Sequence, residues 1–143
     1  MKRIIYNNEN GGISIVVPSK DALAFMTIDQ IAIKDVPEGL VYEIVETSAI
    51  SSDRTFRGAW ELDGKIIQVN NVKATDIAKN KLRSWREPEF VKNDVTIQNA
   101  LADDDAVSKE SAISRRTFLR DLPEQCDGKN VEELKVIVEE YSV

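Results

Sequence analysis

Short apolar runs of strand character, interrupted by a helical pattern in 26–39, occupy roughly the first seventy positions, and from Asn71 onward the period is helical. Residues 2–7, KRIIYN, and 13–18, ISIVVP, are two short β-rich runs. They are joined by NENGG, whose Asn-Gly pair predicts a hairpin, and Pro18 closes the second strand. In MTIDQIAIKDVPEG, residues 26–39, Thr27 and Gln30 have capping-box spacing, Ile28, Ile31 and Ala32 share a helical face, and Pro37 and Gly39 stop the helix. LVYEIVE, 40–46, carries apolar groups on both alternating faces and is expected to be a central strand. SSDRTF predicts one or two capped helical turns that run into a strand near Trp60. Asp63-Gly64 then predicts a hairpin to KIIQVN, 65–70.

Beyond Asn71, Ala74, Ala78, Leu82 and Trp85 fall three or four residues apart, an apolar stripe on one helix. Pro88 is expected to kink or end that helix, with 90–102 resuming it. ADDDA reads as a turn with an Asp N-cap. Residues 107–122 form a second, antiparallel helix stopped by Pro123, and 130–141 form a terminal helix with Val131, Leu134, Ile137 and Val138 on its apolar face. The expected fold is α+β in a single domain, 1–143. A small, mainly antiparallel N-terminal sheet occupies a β-rich part, 1–70. A helical hairpin, 71–122, and a C-terminal helix follow.

Composition narrows the chemistry. The chain has 143 residues, long enough to bury a core, and no apolar run approaches the roughly 18 residues of a membrane span. The start lacks the apolar stretch of a secretory signal. One cysteine, Cys126, makes no internal disulfide and is expected to be a loop or half-buried thiol in a reducing cytoplasm. Histidine is absent, which removes Ser-His-Asp and Cys-His catalysis and the commonest metal ligand, so neither a zinc site nor a cofactor is expected. A formal charge of −6 disfavours long nucleic acids but leaves room for a small anion in a local basic pocket. The acidic run Asp103–Asp105 reads as the helix-capping turn rather than as a catalytic carboxylate pair.

Positive charge and rings cluster in two places. Arg54, Phe56, Arg57 and Trp60 lie within seven residues. Arg115, Arg116 and Arg120 sit in a stretch without acids, and Lys109, Arg116 and Arg120 share a helical face by their spacing of 7 and 4. Guanidinium groups make forked hydrogen bonds to phosphate, and flat groups stack on purines. Phe56, Arg57 and Trp60 are therefore candidates for contact with a base or ribose, and Arg86, Arg115, Arg116 and Arg120 for phosphates. The competing expectation is structural: rings in the core and arginines paired with acids, the acidic last helix foremost among them.

IIYNNENGGISIVVP, KDVPEGLVYEIVE, SDRTFRGAWELDG, KATDIAKNKLR and NVEELKVI occur in that order. Nearly end to end, this series resembles a widespread set of small bacteriophage proteins with a DRTFR-AWE signature; Gly58 stands where that pattern usually has Asn. Within the set the chain looks most like the phage Thoeris anti-defence sponges. The resemblance implies a non-enzymatic protein of the host cytoplasm that binds a cyclic ADP-ribose isomer or related cyclic nucleotide without cleaving it. It also implies a homo-oligomer, a dimer or higher, with nucleotide sites at subunit contacts. A structural or assembly accessory of the phage tail is the alternative.

Overall fold

The computed structural model describes residues 1–142. The fold is α+β, with the strands before the helical part, and the chain divides into two compact units, Met1–Lys73 and Ala74–Val143.

The first unit is organised by its opening strand. Strand β1 (Lys2–Asn7) pairs antiparallel with β2 (Ile13–Val16) on one side and with β3 (Tyr42–Glu46) on the other. The sheet order is β2-β1-β3, so the central strand is β1 and the 40–46 run lies at an edge. Its two apolar faces mislead because they are shared with helices and a second sheet rather than with strands on both sides. Ile4 and Ile5, adjacent in sequence, point to opposite faces of the pleat, and both are fully buried. Ile4 packs with Ile31 and Ala32 of α2 (Ile28–Asp35) and with Val36, its C-cap, with Ala22 of α1 (Lys20–Phe25) nearby. Ile5 packs with Ile13, Val45 and Trp60, the last from the hairpin of β4 (Trp60–Asp63) and β5 (Ile66–Val69). Helices cover one face of the three-stranded sheet and a two-stranded sheet covers the other.

Local chemistry fixes the ends of these elements. Thr27 and Gln30 complete the capping box of α2, the side chain of each accepting from the other's backbone N–H, at 3.2 and 2.8 Å. Gly64, at φ 59°, takes the left-handed position that the Asp-Gly hairpin turn requires. The expected helix before Trp60 shrinks to a single 3-10 turn, Arg57–Ala59. Ser51 does not cap it: the Ser51 hydroxyl accepts from Asp53 N, and Asp53 in turn accepts from the backbone N and the hydroxyl of Thr55. These local side-chain bonds compete with helix formation and win over so short a segment.

The second unit is helical. Helix α3 (Asn71–Ala102) begins in the first unit and supplies most of its length to the second. It runs through Pro88 without a break, against expectation. A proline inside a helix costs about 3 kcal/mol. Here the turns on both sides are held: Ala78 and Leu82 are buried before it, and Asn93 and Ala100 after it. Helix α4 (Ala106–Asp121) returns antiparallel after a tight turn in which Asp104 has φ 51° and Asp105 caps Ser108 N at 3.1 Å. Asn93 donates to Ala112 O at 2.8 Å and Arg86 to Leu119 O at 3.1 Å, which fixes the hairpin's register. A 3-10 segment, Leu122–Cys126, leads to α5 (Val131–Glu140), whose N-terminus carries an Asn130–Glu133 capping box. Leu119, Leu122, Cys126, Leu134 and Val138 are buried. Cys126 is therefore a core thiol rather than a loop residue, and burial pushes its pKa up. No helix among the described residues is long and apolar enough to cross a membrane.

Candidate functional site

The seven residues singled out from the sequence fall into two groups, three in the first unit and four in the second, and each group has its own geometry.

In the first unit the DRTFR-AW segment folds onto itself. Phe56 is 4% exposed and Trp60 2% exposed, so neither ring offers a face to a ligand. The 3-10 turn places Arg57 back over the Trp60 ring, with Cζ 4.7 Å from the centroid, and Arg54 Cζ lies 5.4 Å from the same centroid. Arg57 Nη2 also donates to Ile13 O at 2.7 Å, which ties the turn to β2. Burial, with Arg54 as a lesser cause, lowers the Arg57 pKa. The combination of rings and guanidinium groups thus has a structural outlet: arginines form the lid of a tryptophan that closes one face of the sheet.

In the second unit two of the four arginines are engaged by the fold. Arg86 donates from Nη1 to Leu119 O and Arg120 O, at 3.1 and 2.8 Å, and neutralises carbonyls at the C-terminal end of α4. Its Cζ is 5.4 Å from the Phe90 centroid, and its buried Nε has no hydrogen-bond partner. Arg115 lies 3.8 Å from Glu89, with Cζ 5.0 Å from the Phe118 ring and 6.0 Å from Trp85. It points to the side of the hairpin that carries Phe118.

Arg116 and Arg120 behave differently. Together with Phe90, Ile113 and Thr117 they line a cleft of about 400 Å³ between the two helices. Arg120 forks onto its neighbour Asp121 at 2.7 and 3.1 Å. This hydrogen-bonded pairing raises the guanidinium pKa and lowers that of the carboxyl. The pair is largely exposed and weakly held. Arg116 is exposed, and no ion pair among the described residues involves it. Two cations, a hydroxyl, an aromatic ring and an aliphatic wall therefore share one concavity, within the size range of small-ligand sites. The sequence signal for Arg116 and Arg120 was the helical face they share with Lys109; Ile113 and Thr117 were not singled out. Phe90 was missed because it reaches the cleft only through the antiparallel register.

A second hollow, of about 640 Å³, lies where Trp85 meets Tyr141 edge-on at 4.9 Å. Among the described residues that line it Lys81 is the one cation, so it is the poorer match to a phosphorylated ligand. Among the described residues no group of three or more His, Cys, Asp or Glu side chains could hold a metal ion.

Comparison of the chain with family models, curated proteins and solved structures finds no match in any of the three.

Proposed function

We propose that this chain is a phage anti-defence protein that acts in the host cytoplasm by sequestering a nucleotide immune signal. The signal is a cyclic ADP-ribose isomer or a related cyclic nucleotide, held uncleaved so that Thoeris defence is blocked. The observation that carries this reading is the convergence of Arg116 and Arg120 on the cleft that also contains Phe90. A pyrophosphate accepts forked hydrogen bonds from guanidinium groups. A purine stacked on a ring or guanidinium plane contributes about 1–3 kcal/mol. Thr117 supplies a hydroxyl for a ribose or phosphate oxygen. Binding of this kind needs no nucleophile, no histidine and no metal, and stoichiometric capture inactivates a signal without chemistry.

The site proposed here is smaller than the sequence suggests. Phe56, Arg57 and Trp60 support it only by holding their own unit together, and Arg86 by fixing the end of α4. The experiment is to purify the protein from cells that make the cyclic nucleotide, denature it, and identify the released small molecules by mass spectrometry. Intact cyclic nucleotide at near-stoichiometric yield is expected. Release of an opened or hydrolysed product would replace sequestration with catalysis.

A structural accessory of the phage tail is the competing reading. It is favoured by the exposed apolar side chains of the first unit, with Phe25 88%, Val41 82% and Ile33 74% exposed. Co-purification with virion proteins and indifference to nucleotides would support it.

A further inference from the structure

We propose that the acidic outer face of α5 in a second copy of this chain docks along the basic face of α4. Nothing in this depends on a nucleotide being bound. The surface on α4 extends beyond the cleft described above. A further hollow of about 480 Å³ is lined by Ala106, Lys109, Glu110, Ile113 and Ser114, and it shares Ile113 with the first. The two together follow one helical face from Ala106 to Arg120, about 21 Å at 1.5 Å per residue. Ile113, 47% exposed, sits in the middle of this face, with Lys109 on one side and Arg116 and Arg120 on the other. Among the described residues that line the two hollows Glu110 is the one acid, and Asp121 forks onto Arg120 at the far end of the face.

Helix α5 presents the complementary pattern. Leu134 and Val138 turn inward and are buried, which directs Val136 outward at 64% exposure. Glu132 lies four residues before Val136, and Glu139 and Glu140 lie three and four after it. All four residues share one face by helical spacing and are exposed. An aliphatic residue flanked by acids at −4, +3 and +4 therefore meets an aliphatic residue flanked by cations at −4, +3 and +7. Ile113 against Val136 removes two exposed apolar groups from water, and the flanking charges set the register. A single helix–helix contact is small, so the association belongs to the weak, salt-sensitive class. Arg116 and Arg120 are shared between this contact and the proposed phosphate site, so α5 and a nucleotide exclude one another there.

The test is sedimentation velocity of the full chain without nucleotide, from about 5 to 500 µM, at low and at high salt, with helix content followed by circular dichroism. The wild type is expected to associate at low salt and to dissociate as salt screens the charges. K109E/R116E and E132K/E140K are each expected to associate at least about tenfold more weakly. An equimolar mixture of the two regains association, because the reversed charges complement each other. I113S and V136S, which leave every charge in place, are expected to weaken association as well. Three outcomes would overturn the proposal: a monomeric wild type over the whole range, association unmoved by either reversal, or a mixture that stays dissociated.

Discussion

Two arginine-and-aromatic constellations in this chain use the same side-chain chemistry for opposite ends. In the first unit Arg54 and Arg57 lie over Trp60, and Arg57 also reaches a backbone carbonyl, so the guanidinium groups complete a core. In the second unit Arg116 and Arg120 line an open cleft beside Phe90, and Arg120 is engaged by the half-exposed Asp121, with Glu124 a lesser electrostatic neighbour. The difference follows from backbone geometry. A 3-10 turn followed directly by a strand folds Arg57 back over its own segment. On a regular helix Arg116 follows Ala112 by four residues and precedes Leu119 by three, so it stands at the margin of the packed stripe, with its side chain exposed at the cleft. A guanidinium beside a ring is therefore open to a ligand only where the backbone carries it to a solvent-facing cleft.

The comparison breaks most easily at Trp60. Trp60→Ala is expected to destabilise the first unit by about 3–5 kcal/mol, from the lost apolar contacts and the cavity left among Ile5, Ile13 and Val45. Chemical denaturation followed by circular dichroism measures it, and a loss below about 1 kcal/mol would mean that the ring is not the closure described here. Arg57→Ala follows at about 1–3 kcal/mol, from the hydrogen bond to Ile13 O and the contact with the ring. It should leave nucleotide affinity where it was. Arg116→Ala reverses that pattern: stability moves by no more than about 0.5 kcal/mol, and affinity for a cyclic nucleotide falls about tenfold. The smallest effect concerns Cys126. Its buried thiol, with a raised pKa, should react with an aromatic disulfide reagent at neutral pH only as fast as the second unit opens, and rapidly in denaturant. Prompt reaction of the native protein would show that the α3–α5 core is looser than its packing implies.

The sequence carried most of the local structure because the signals were short-range. The capping box at Thr27, the Asp-Gly turn at Gly64 and the Asp cap of α4 each depend on residues within three or four positions. Two misses were local: α1 (Lys20–Phe25) was not foreseen, and side-chain bonds at Ser51 and Asp53 displaced the helix expected before Trp60; the others were tertiary. Strand β3 read as central because it is apolar on both faces, yet its burial comes from layers above and below the sheet. Pro88 read as a break, yet packing on both sides carries α3 through it. For the site, helical spacing grouped Arg116 and Arg120 correctly. Spacing does not tell whether Phe56 and Trp60 point inward, nor that Phe90 lies across from Arg116 on the other helix.

The central claim is that phosphate is held by Arg116 and Arg120 and not by the arginines over Trp60. Isothermal titration of a cyclic ADP-ribose isomer into the wild type, Arg57→Ala and the Arg116→Ala/Arg120→Ala double variant tests it most directly. Saturable binding by the first two, and at least about a hundredfold weaker binding by the double variant, is the expected result. Undiminished binding by the double variant, or a wild type that gives no heat of binding, would contradict it.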